Sequence, residues 1–183
     1  MSRRTALAAA LVALAAMPAG AQAATSATGD QSVTADVADT LEATFPAAYA
    51  WGNLNAGSTG NESAEQTITV KSNKAWGAKI SSDIASGKMT EYNSSTGYVA
   101  LTPKVLTNAL QWRLGSLAGA AQATSYAAIS STQASLTTGQ GATGDSGVAV
   151  GAKFKQVISY ADVSAGALND YRILAQYDVA QGY

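Results

Sequence analysis

The stretch DYRILAQYDVA, residues 170–180, sets the reading of the whole chain. Tyr171, Ile173, Ala175, Tyr177 and Val179 fall on every second position. Asp170, Arg172, Gln176 and Asp178 fill most of the positions between. A period of two places alternate side chains on opposite faces, which predicts a strand with one buried face. The same pattern recurs upstream. SVTADVA carries Val33, Ala35 and Val37 in phase; LEATF carries Leu41, Ala43 and Phe45 and ends at Pro46. EQTITVKS aligns Ile68 with Val70, and AWGAKIS aligns Trp76, Ala78 and Ile80. ALQWRLG aligns Leu110, Trp112 and Leu114, and VAVGAKFKQVIS aligns Val148, Val150, Ala152 and Phe154. Turn-forming clusters such as NAGSTGNES and NSSTG separate these runs. There is no βαβ rhythm. Short alternating strands with regular turn signals predict an all-β, antiparallel, immunoglobulin-like β-sandwich of about 7–10 strands over residues 41–183. SLAGAAQA is the one stretch with helical character, and Gly119 weakens it.

The first 23 residues read differently. Arg3 and Arg4 precede an apolar run from Ala6 to Met17, then Pro18-Ala19-Gly20 and a terminal Ala21-Gln22-Ala23. That layout predicts a cleaved secretory signal peptide. The run is shorter than the roughly 20 apolar residues a spanning helix needs, so no membrane insertion is expected after cleavage. Loss of Arg3 and Arg4 takes the formal net charge from −1 to −3. Nucleic acid and anionic membranes, which require clustered Lys and Arg, are not expected partners. The chain has no cysteine, so stability after export must come from the core. Residues 24–40 form an N-terminal arm. Its Val33–Val37 strand either pairs within its own domain or serves as a donor strand for a neighbour.

Catalysis is tested first at Gly144-Asp145-Ser146-Gly147, which spells the surroundings of a nucleophilic serine. The chain has no histidine, so the imidazole that would take the serine proton does not exist. No Ser-x-x-Lys occurs either. An aspartic protease needs two converging Asp-Ser/Thr-Gly loops, and there is one. The expectation is a turn, and a protein that is not an enzyme. Without His or Cys, zinc, copper and iron–sulfur sites are not expected, and no cofactor is predicted. Asp30, Asp36, Asp39 and Glu42 could at most hold weak Ca2+, and their spacing fits no calcium loop. Two glycosylation sequons, Asn61-Glu62-Ser63 and Asn93-Ser94-Ser95, fall in turn-like sequence.

Two further features bear on function. From Leu114 to Gly144 there is no charged residue. That tract is either a long surface loop or weak strands, or a contact surface lacking the charges that keep strand edges apart. Trp76 and Trp112 share phase with apolar neighbours and are expected in the core. Tyr49, Trp51, Tyr92 and Tyr98 are less committed, and are the candidates for stacking on a cell-wall polysaccharide.

WGNLNAGSTGNESAEQTITVKSNKAW resembles a segment of bacterial immunoglobulin-like surface domains, with an aromatic-Gly-x-Leu, a glycine turn, a Thr/Val strand and Ser-Asn-x-x-Trp. Trp112-Arg113-Leu114 is similar to the Trp-x-Leu of WxL-type cell-surface proteins; a second Trp-x-Leu is absent. The arm followed by a sandwich resembles exported pilus and fibre subunits. These resemblances imply a secreted, extracellular or cell-surface structural protein. They also imply a homo-oligomer or filament built by strand addition through Val33, Ala35 and Val37.

Overall fold

The computed structural model describes residues 34–57 and 61–183; the signal-peptide reading, Asp30 and Val33 lie outside the described residues. All regular structure in those residues is β, in thirteen strands, four of them only two residues long. The main body runs Val37–Tyr183.

The largest sheet is built on β3 (Gln66–Ser72), β7 (Gln111–Leu117) and β11 (Val148–Gln156), all antiparallel. β1 (Leu41–Thr44) adds to β3, and β8 (Ala120–Ala121) and β9 (Ala127–Ala128) add to β7. β2 (Asn61–Glu62) pairs with the end of β11. A second sheet places β4 (Trp76–Ser82) between β10 (Ala134–Gln140) and β13 (Ala175–Gln181). A third joins β12 (Asn169–Arg172), β5 (Thr90–Asn93) and β6 (Gly97–Tyr98).

The first two sheets meet face to face, the arrangement of a β-sandwich. Ile68, Val70, Trp112, Val150, Ala152 and Phe154 come from one side; Trp76, Ala78, Ile80 and Leu136 come from the other. Both tryptophans are buried, as their phase predicts, and Trp76 is fully buried. A smaller cluster of Met89, Leu106 and Ile158 lies under the third sheet, and Trp51 and Ile173 pack against both clusters.

Two expectations change, and one open alternative is narrowed. DYRILAQYDVA is two strands rather than one. β12 pairs β5, whereas β13 pairs β4, and the chain changes partner at Ile173–Leu174. Asp83 holds this break: its amide donates to the Leu174 carbonyl at 3.2 Å, and its carboxylate accepts the Leu174 amide at 2.9 Å. SLAGAAQA is not helical. Ala118 and Gly119 both have positive φ, 51° and 79°, the geometry of a tight hairpin turn between β7 and β8. Of the two readings of Val33–Val37, pairing within its own domain is not seen in the described part: residues 34–40 lie outside every strand.

Candidate functional site

Ala35 and Val37 are exposed, Val37 to 85 %. Asp36 is exposed as well. Beyond them the chain is tied down. Asp39 forms an ion pair with Lys74 at 2.6 Å, and the Thr40 amide donates to Asn73 Oδ1. Glu42 faces Lys71 at 3.9 Å. Of the acidic residues weighed for calcium, Asp39 and Glu42 therefore each face a lysine, and the described residues contain no cluster of three potential metal ligands.

The free strand edges differ in character. On the large sheet, the β7 edge is covered. Besides β8 and β9, the Gln122 amide donates to the Gly115 carbonyl at 2.8 Å, and Thr124 Oγ1 donates to the Leu114 carbonyl at 2.7 Å. At the opposite side, β1 and β13 are neighbours. Phe45 stacks on Tyr177 at 6.3 Å, and Gln181 Nε2 donates to the Thr40 carbonyl. β10 forms the other edge of the second sheet. Its sequence, ASLTTGQ, lies inside the uncharged tract. Its register against β4 shifts around Leu136, which turns inward. Among the described residues, the Gly139 amide to the Tyr183 carbonyl is its one backbone bond outside that ladder. Between β10 and residues 124–127 runs a groove of about 220 Å³ with Trp112, Leu114, Ala127 and Leu136 in its wall and Arg113 as its one charge. The uncharged tract is thus a hairpin, a short strand and an edge strand.

The four aromatic candidates form two pairs. Tyr49 meets Trp51 edge to face at 5.2 Å, and Tyr92 meets Tyr98 the same way at 5.4 Å. Tyr49 and Tyr98 are exposed, while Trp51 is half-buried against the core. The Arg172 guanidinium lies 4.3 Å from the Tyr92 ring centre. Tyr98 donates its hydroxyl to Asp83 at 2.7 Å. Desolvation of the hydroxyl, together with this carboxylate partner, pushes Tyr98 well above the usual tyrosine range.

Sequence reasoning missed Glu91, a buried carboxylate on β5. Its Oε1 accepts from Asn169 Nδ2 at 2.9 Å and from the Gly166 amide at 2.6 Å; its Oε2 accepts from the Lys104 amide at 3.1 Å. The Asn169 bond and the two amides hold its carboxyl down at about 2. The group organises two loops around the third sheet. Its signal was parity, since Met89 and Glu91 share a phase and both are buried. Sequence reading also missed Tyr183, which lies against Gly77, beneath the Lys79 ammonium at 3.7 Å, and donates to Asp178.

The protease-like motif is a turn. Gly144 and Gly147 have positive φ, the Gly147 amide donates to the Gly144 carbonyl at 3.3 Å, and β11 starts at Val148. Ser146 is exposed. Asn93 of the second sequon spends its side chain on structure: Oδ1 accepts from the Ser95 amide and Nδ2 donates to Asn169. Comparison with protein-family models, with curated proteins and with solved structures gives no match for this chain.

Proposed function

We propose that this chain is an exported, non-catalytic structural protein, a surface or extracellular fibre subunit of immunoglobulin-like type that self-associates by β-strand addition. The observation that carries the reading is the arm. Ala35 and Val37 belong to an alternating strand sequence, yet they stand exposed and outside every described strand of their own chain. A strand sequence without a ladder leaves its backbone groups and its apolar face for a partner. The leader-like residues 1–23 and the absence of cysteine and histidine support export and a structural role. A head-to-tail exchange that does not close on itself propagates as a filament. Electron microscopy of the mature protein is expected to show regular filaments, and deletion of residues 24–38 to abolish them. A species that stays monomeric at high concentration with or without those residues refutes the reading.

A second reading is a cell-wall polysaccharide-binding module, favoured by the exposed Tyr49 and Tyr98 beside Trp51 and Tyr92. It ranks second because each pair meets edge to face, and neither presents the flat two-ring platform on which a sugar face stacks. A peptidoglycan pull-down lost on Tyr49→Ala and Tyr98→Ala supports it; absence of retention removes it.

A further inference from the structure

We propose that the arm of one copy, residues 33–37, adds as a strand to the free edge of β10 in a second copy, with Val33, Ala35 and Val37 covering the adjoining groove. The inference rests on the self-assembly reading and names the surface that receives the arm. It joins two features that are separate in the sequence, the exposed arm and the uncharged tract.

Exposed edges are ordinarily protected by charge, by shortness or by a covering segment. β1 carries Glu42 and lies beside β13. β13 carries Asp178 and is capped by the Phe45–Tyr177 stack. The β7 edge is covered by the 120–128 segment. β12 carries Asp170 and Arg172, and β6 is two residues long. Among the described strands, β10 alone offers a seven-residue edge with no charge.

The groove beside it suits this occupant. Trp112, Leu114, Ala127 and Leu136 supply an apolar wall for small aliphatic side chains at period two. Charge does not oppose it: with Ala35 and Val37 turned inward Asp36 turns outward, and Arg113, the one charge lining the groove, donates to the Gln122 carbonyl at 3.1 Å and lies over the Tyr126 ring. Residues 24–40 contain Asp30, Asp36 and Asp39 and no Lys or Arg.

The chain has no native cysteine, which makes a two-population cross-link unambiguous. An A35C protein and an S135C protein are prepared separately, mixed at assembly concentration and oxidised gently. A heterodisulfide is expected at least about tenfold faster than between A35C and Q176C, which sits exposed on β13. In parallel, S135K with T138K places charge on the β10 edge and is expected to raise the concentration needed for assembly at least about tenfold. Its melting temperature should be unchanged, and Q176K should assemble as the wild type does. Assembly that is trapped through Q176C and not S135C overturns the assignment while leaving self-assembly standing. An A35C/S135C double variant that closes within one monomer overturns the exchange between copies. A wild-type protein that never assembles overturns this inference together with the reading beneath it.

Discussion

Gly87→Ala tests the packing of the 87 turn against Ile129. Gly87 has φ +64°, and a Cβ built there would overlap the Ile129 carbonyl oxygen, with the carbonyl carbon 2.8 Å away. Both obstacles are backbone. The contact is fixed by a chain of bonds: the Leu110 amide donates to the Gly87 carbonyl at 2.8 Å, and the Ile129 amide donates to the Leu110 carbonyl at 2.8 Å. Ile129 itself is buried in the core, so its carbonyl cannot simply withdraw. A left-handed conformation costs a non-glycine residue about 1–2 kcal/mol. Forcing extra atoms into a packed site costs about 1–3 kcal/mol. Gly119→Ala is the control, since Gly119 has φ +79° and nothing within 4 Å of the added Cβ; it incurs the conformational cost alone. Urea unfolding of both variants is expected to separate them by about 1–3 kcal/mol, equivalent to several degrees in melting temperature for a domain of this size. If Gly87→Ala falls within about 0.5 kcal/mol of Gly119→Ala, the close approach of the 87 turn to Ile129 is wrong.

Ala118→Asn should stabilise the fold. It places Asn-Gly in a hairpin turn whose first residue already has positive φ, for an expected gain of about 0.5–1 kcal/mol read from the urea midpoint; a loss contradicts the turn. Glu91 sets a pH dependence. Its folded pKa of about 2 lies below its ordinary 4.5, so the unfolded chain binds the proton more tightly. Its contribution is fully present above about pH 4.5 and is lost as pH falls toward 2. Melting temperatures from pH 7 to 2 should drop through that window in the wild type and less steeply in Glu91→Gln. Parallel curves would show that the Asn169, Gly166 and Lys104 bonds do not hold the carboxylate. Tyr98→Phe removes the hydroxyl bond to Asp83 and is expected to cost about 0.5–1 kcal/mol, with little effect on assembly, read as a filament yield near that of wild type.

The candidate assembly surface was half legible in sequence. Alternation at Ala35 and Val37 identified a strand sequence, and the absence of charge from Leu114 to Gly144 identified an unusual tract. Neither told that 34–40 would lie outside every ladder, nor that the tract would contribute the free edge β10. Which edges stay open depends on pairings between residues far apart in the chain, and a single strand's pattern carries no record of its partner. Glu91 was hidden for a related reason: its three donors come from residues 13, 75 and 78 positions away.

What the sequence determined by itself was the period of two and the face each residue turns to. Trp76, Trp112, Ile68, Val70, Val150 and Phe154 are inside because alternation and hydrophobic burial act on each strand locally. The absence of histidine likewise reduced Gly144-Asp145-Ser146-Gly147 to a turn before any coordinates were needed. Tertiary structure decided the hydrogen-bond partners. In DYRILAQYDVA the side-chain phase runs unbroken from Tyr171 to Val179, so nothing in the pattern marks the change of sheet at Ile173–Leu174. The break exists because β4 ends at Ser82 and β5 begins at Thr90, leaving the strand to leave one partner and take up the other while Asp83 holds the Leu174 backbone between them.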